Sequence, residues 1–125
     1  MENKSFILES TLSGSYLLKV IENVQEANYQ GRIVYVFLES PDACIERIKV
    51  RVKLGGHHVP NEDVIRRYYR SKENFWKTYK NLADEWLVYF NSEIADSQRI
   101  AAGNKENYLI ENERLFEKFI NNVKL

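Results

Sequence analysis

The alternation of apolar and polar positions divides the chain into strand-like and helix-like stretches. Ser5 to Thr11 (SFILEST) is a short apolar run bounded by polar residues, which predicts a buried strand with a polar tip. After a loop at Gly14, Leu17, Leu18, Ile21 and Val24 recur at three- and four-residue spacing between Ser15 and about Tyr29, predicting an amphipathic helix that stops at Gly31. The run RIVYVFLES is apolar at every position from Ile33 to Leu38, the pattern of a parallel strand covered on both faces. Ser40 then supplies a helix N-cap, Pro41 suits the first helical position, Asp42 favours the N-terminal dipole, and Gly55-Gly56 ends the helix.

Beyond His57-His58-Val59, Pro60 with Glu62 and Asp63 starts a long helix whose positions Ile65, Tyr69, Trp76, Tyr79 and Leu82 carry it to about Ala83, with a break near Ser71. Trp86 to Phe90 predicts a third strand and Gln98 to Ala102 a short fourth. From about Asn112, Leu115, Phe116, Phe119 and Val123 share one face of a closing helix. This order predicts one α/β domain over residues 1–125, built as a parallel sheet with helices on both faces. Ligands collect at the carboxyl ends of the strands in such sheets, so the tips Glu9-Ser10-Thr11, Glu39-Ser40 and Asn91-Ser92 are expected along one edge.

Composition narrows the function classes. With 18 Lys and Arg against 18 Asp and Glu, the net charge is zero, and no global field draws the molecule to nucleic acid or an anionic membrane. Cys44 is the single cysteine, which fits a reducing compartment, and no signal or spanning segment is legible, so a cytoplasmic protein is expected. Charge is nevertheless uneven. Between Arg47 and Lys72, eight Lys and Arg face only Glu62 and Asp63. Arg47 and Arg51 are one helical turn apart, as are Arg66 and Arg70, so two helices joined by GGHHV would close two arginine rows around a phosphate, or else present two solvated faces.

His57 and His58 have no cysteine or carboxylate beside them and read as loop residues; no metal site is expected. Glu9 at a strand end is either a cleft carboxylate or an edge residue in water. Tyr68, Tyr69, Phe75, Trp76 and Tyr79 resemble a stacking platform but sit at the spacing of a core.

Taken together, FILESTLSG, VFLESPDACIERIKVRVKLGGHHVP, VIRRYYRS, LADEWLVYFNS and IAAG, in that order from about Ser5 to Gly103, resemble the zeta-toxin group of P-loop kinases, especially its branch of predicted ATPases. The resemblance implies a P-loop kinase-like fold, and phosphorylation of a sugar nucleotide such as UDP-N-acetylglucosamine with ATP and Mg as cofactors. It implies that Glu9 and Thr11 contact that substrate, that Arg51 acts catalytically on the transferred phosphate, that His57, Arg66 and Arg67 bind phosphate, and that Asn91 lies near the adenine. An antitoxin is the implied protein partner.

The chain departs from that family at its centre. No GxxxxGK[ST] occurs in the sequence, so the phosphate cradle and its lysine are missing, as is the aspartate such kinases use as base. The chain starts about where the family's third strand would start and reads as the later part of such a kinase, inactive alone, or alternatively as a non-catalytic anion-binding or protein-interaction module. In the family the absent strand lies between those that SFILEST and RIVYVFLES resemble. Their inner edges are therefore expected either to pair directly or to be filled by a second copy in a homo-oligomer.

Overall fold

The computed structural model describes residues 4–91, 97–121 and 123. Its elements are α1 (Tyr16–Glu26), β1 (Arg32–Phe37), α2 (Pro41–Lys53), α3 (Asn61–Asn74), a π-helical turn (Phe75–Tyr79), α4 (Lys80–Leu82), β2 (Glu85–Phe90), β3 (Gln98–Asn104), β4 (Tyr108–Ile110) and α5 (Glu113–Ile120). The capping signal at Ser40 works as read: its Oγ accepts the Ala43 amide at 3.2 Å, with Pro41 in the first turn of α2; Asn112, where the last helix was expected to begin, caps α5 by accepting the Leu115 amide on Oδ1 at 3.1 Å.

The strands form one mixed sheet in the order β1-β2-β3-β4. β1 and β2 run parallel, from Arg32 opposite Glu85 to Phe37 opposite Phe90, and α2, α3 and α4 make the crossover between them. β3 and β4 are antiparallel additions. The expectation of a wholly parallel sheet fails here because only residues 91–97 separate β2 from β3, too few for a helical crossover, so the chain must turn back. A register shift at Val88/Tyr89 lets the consecutive residues Ile100 and Ala101 both bury completely.

All the helical packing falls on one face. Tyr35 and Phe37 of β1 with Trp86, Val88 and Phe90 of β2 meet Phe75 and Tyr79 from the π turn and Leu115, Phe116 and Phe119 from α5, while Leu17, Leu18 and Ile21 of α1 close the side. Phe119 lies against Tyr35, Phe37 and Phe75 with ring centroids 5.7, 5.3 and 6.3 Å away. The aromatic residues of the long helical segment thus belong to the core or its margin; Tyr69 stays exposed.

Three further expectations are corrected. β1 is not covered on both faces: Val34 and Val36 point away from the helices and are about half exposed. SFILEST is no strand. Lys4 to Ser10 have no regular structure, and Phe6, Ile7 and Leu8 are exposed; a lone apolar segment without a neighbouring ladder has nothing to fix it as a strand. The helix break lies at Phe75, as a π turn, and not near Ser71. Among the described residues no helix is long and apolar enough to cross a membrane.

Gly103 sits opposite Trp86 on one side and Tyr108 on the other. A Cβ there would come within 2.5 Å of Trp86 Cζ2 and 2.6 Å of Tyr108 Cβ. Gly103→Ala is expected to destabilise the fold by roughly 1–3 kcal/mol, because the rings on both sides are packed and must shift. Urea denaturation of the two proteins measures it; equal midpoints would mean that the β2–β3–β4 rows are loosely held.

Candidate functional site

A polar cleft of about 350 Å³ opens where the segment leading into α1 meets α3 and the π turn, lined by Ser13, Gly14, Ser15, Leu18, Arg70, Asn74, Thr78 and Tyr79. Two long-range hydrogen bonds build it. Asn74 Nδ2 donates to the Leu12 carbonyl at 2.7 Å, and Tyr79 Oη donates to the Gly14 carbonyl at 3.0 Å. Leu12, in the left-handed region at φ 56°, is buried and anchors the segment in the core. The extra residue of the π turn sets the rotation of Thr78 and Tyr79 relative to Arg70 and Asn74, so all four line one cleft.

The electrostatics of this cleft favour an anion. Ser15 occupies the N-cap position of α1 without a side-chain cap bond, and the first turn of α1 contains no acidic residue. The helix end therefore presents unneutralised positive potential. Arg70 supplies a full charge to the same space and makes no ion pair among the described residues. Its neighbour one turn earlier, Arg66, is bound to Asp63 at 3.1 Å. An oxyanion between Arg70 and the amino end of α1 would meet donors on both sides.

Arg70 of the basic window and Tyr79 of the aromatic set line this cleft, whereas none of the residues to which the resemblance gives a role does. Thr11 comes nearest, since its Oγ1 lies 2.7 Å from Ser13 Oγ in the same loop. Glu9 is exposed two residues earlier. Arg51 lies exposed in the last turn of α2, and its carbonyl accepts the Gly56 amide at 2.7 Å to close the helix. His57 follows in an exposed loop, while Arg66 and Arg67 lie on the exposed side of α3. Asn91 directly follows β2, and its amide donates to the Phe37 carbonyl at 3.0 Å, at the carboxyl end of the parallel pair. Ser92 lies outside the described residues.

The clamp of two facing arginine rows is not formed. The α2–α3 seam encloses about 260 Å³ lined by Ile45, Ile48, Val52, Val59 and Val64, with His58, Lys49 and Lys53 also lining it. Ile45, Ile48 and Val52 recur at helical spacing and take the inner face of α2, so Arg47 and Arg51 are turned to solvent. Arg70, Ser13, Gly14 and Ser15 were legible only in part: the charge of Arg70 was plain, but its meeting with the α1 segment depends on contacts more than fifty positions apart in sequence.

A second chemical cluster lies beneath α3. Lys72 is 1% exposed and has no carboxylate partner among the described residues. Its Nζ lies 4.6, 4.8 and 5.6 Å from the ring centroids of Tyr68, Phe37 and Phe119. Burial pushes its pKa down from 10.5 to about 8, opposed by the nearby Cys44. Burial pushes the Cys44 thiol up, with the Arg47 and Lys72 cations opposing it. Tyr35 Oη shares a 2.7 Å hydrogen bond with Ser71 Oγ, and Tyr68 Oη donates to the Leu38 carbonyl at 2.8 Å; burial holds both phenols well above their usual range. Neither cavity reaches Lys72. It is a buried cation held by aromatic faces. Among the described residues no group of three or more His, Cys, Asp or Glu is placed to hold a metal.

Comparison with known proteins adds little chemistry. A 64-residue stretch, 51% of this chain, is 33% identical to an uncharacterized protein of Haemophilus influenzae and covers 45% of that protein. The chain thus matches less than half the length of this curated relative. No family model matches, and no solved structure matches.

Lys72 makes a pH dependence with a defined sign. Its folded pKa of about 8 lies below the unfolded 10.5, so the charged form is penalised by folding. That penalty is complete below pH 8 and relaxes as pH rises toward 10.5, because the folded protein loses its proton first. The aromatic faces offset part of it. Lys72→Met should therefore stabilise the protein by about 1–3 kcal/mol at neutral pH, with the advantage over wild type shrinking toward pH 10. Urea midpoints of both proteins across this range check it; a destabilising Lys72→Met would mean that the ring contacts outweigh burial.

Proposed function

We propose that this chain corresponds to the part of a zeta-toxin-like P-loop kinase that follows the phosphate loop, and that by itself it binds a phosphorylated ligand without transferring phosphate. The observation that carries the reading is the cleft between Ser13-Gly14-Ser15 and Arg70. It joins two of the segments on which the resemblance rests, FILESTLSG and VIRRYYRS, around a space suited to an anion. Packing brings these segments together, since Leu12 is buried and Asn74 and Tyr79 bond the Leu12 and Gly14 carbonyls; what favours a ligand there is an α1 start without a side-chain cap beside Arg70, which has no ion pair among the described residues.

In this reading the cleft takes the diphosphate of a sugar nucleotide such as UDP-N-acetylglucosamine. The α1 amides and Arg70 hold the phosphate oxygens, the hydroxyls of Ser13 and Ser15 donate to them, and Tyr79 keeps Gly14 in place. Glu9 and Thr11, on the approach to the same loop, would contact the sugar or nucleoside. By the resemblance, Arg51, His57, Arg66 and Arg67 would act on a transferred phosphate and Asn91 would lie near the adenine, although none of them lines this cleft. ATP and Mg belong to the reaction of a chain that carries the loop. The sequence given has neither the loop nor the catalytic aspartate, so no proton acceptor for the attacking hydroxyl is assigned here.

The alternative, a non-catalytic anion-binding module, uses the same cleft and differs in having no phosphotransfer reaction to complete. The coding sequence upstream of Met1 separates the two: an in-frame GxxxxGK[ST] supports the kinase reading, and stop codons there support the module.

Titration calorimetry tests the site on the chain as it stands. UDP-N-acetylglucosamine is expected to bind, and Arg70→Ala to weaken it about tenfold or more, the loss of one charge-assisted contact. ATP-Mg is expected to bind no tighter than roughly millimolar, since no backbone cradle for its β- and γ-phosphates remains. Micromolar ATP-Mg affinity, or a sugar nucleotide indifferent to Arg70→Ala, would remove the basis of the proposal.

A further inference from the structure

The other unusual feature is the edge of the sheet. β1 is an outer strand, and it is six residues long, whereas β4 at the opposite edge has three. Natural edge strands are blunted by lysine, proline, a bulge or an overlying segment. β1 has none of the first three, and no backbone hydrogen bond reaches its outer edge among the described residues. Its one charge, Arg32, is engaged by Glu85 of β2 at 2.7 Å. The outward face beside it is apolar. Val34, Leu87, Ala102 and Leu109 stand in one row across all four strands, and Val34 and Leu109 are 52% and 66% exposed.

We infer that β1 pairs with β1 of a second copy of this chain, making a two-fold dimer with one sheet continuous through both copies. A two-fold axis perpendicular to the sheet makes the two strands antiparallel and keeps corresponding faces on the same side, so residue numbers paired across the axis must sum to an even value. In the register centred on Tyr35, Val34 lies opposite the partner's Val36, and Val36 opposite the partner's Val34. The two exposed β-branched side chains of each copy are then buried against their counterparts as cross-strand pairs. Ile33 lies opposite the partner's Phe37 on the inner face, and each Arg32 stays at the end of the ladder, beyond the valines. The occupant is a second copy because the strand is complementary to itself: both halves of β1 are apolar, and no charge stands at the centre of the ladder to repel its own image. The pairing closes after two copies, since each chain offers one long free edge. It does not need the phosphate cleft, but it competes with the kinase reading for one edge, because the strand that feeds the phosphate loop in that family would lie against β1 where the second copy is placed here.

Light scattering and sedimentation of the whole chain at micromolar concentration test this. Two chain masses are expected, and Val34→Lys/Val36→Lys should give one chain mass with an unchanged far-ultraviolet spectrum, because both side chains are exposed in the single copy. A monomeric wild type, a ladder of larger species, or a dimer that persists in the double variant would overturn it. A cross-linking measurement stands independently of the lysine variant. In a Cys44→Ser background, mixed Val34→Cys and Val36→Cys chains should form a disulfide-linked pair under mild oxidation, and either variant alone should not. Absence of the mixed pair, or equal cross-linking of either variant with itself, would overturn the register and with it the proposed interface.

Discussion

The parallel pairing of β1 with β2 is the constraint on which the rest of the structure depends. Its lower end is locked where Asp84 accepts the Gly31 amide at 2.7 Å, Gly31 accepts the amides of Asp84 and Glu85, and Arg32 reaches Glu85. Once that register is set, Tyr35 and Phe37 stand beside Trp86, Val88 and Phe90 on one face. The chain between the strands must cross that face, which brings Phe75 and Tyr79 down onto it. The arrangement of α2, α3 and the π turn is the shape this crossover takes when its apolar side is satisfied.

From that crossover follows the cleft. Asn74 and Tyr79 are held over the sheet by Phe75, so their side-chain donors have fixed positions, and the carbonyls of Leu12 and Gly14 come to them. Arg70 is carried to the same place as a passenger on α3. A site assembled in this way tolerates substitution of its charged member with little effect on the fold, whereas changes to Asn74 or Tyr79 act on fold and site together.

Local signals were legible in the sequence where one segment alone decides the outcome. Ser40-Pro41-Asp42 starts a helix because the capping geometry involves residues within one turn. The run Ile33 to Leu38 reads as a strand because it is short, rich in β-branched and aromatic residues, and flanked by Gly31 and Pro41. Neighbours more distant in sequence were not legible. SFILEST has the composition of a strand and no ladder to join, and the direction of β3 is set by the length of the connection before it and not by its own residues. The candidate site shows the same division. The charge of the Arg47–Lys72 window was plain, but Ile45, Ile48 and Val52 decide which way its arginines turn, and the partner of Arg70 is a loop near the other end of the chain.

The π turn at Phe75–Tyr79 gives the long helical segment two phases. In an unbroken α-helix each residue advances the side chain by about 100°, so one additional residue rotates everything downstream by that amount relative to everything upstream. Upstream of the turn the helix answers to α2 and β1; downstream it answers to the α1 loop and to Trp86. The turn acts as a gear between two surfaces whose repeats do not match. Insertions and deletions along this segment are therefore unequal: one residue lost within Phe75–Tyr79 removes only the excess that the wide turn absorbs and lets the flanking stretches keep the faces they hold, while one residue lost from the middle of α3 turns one side of that helix by about 100° against the other.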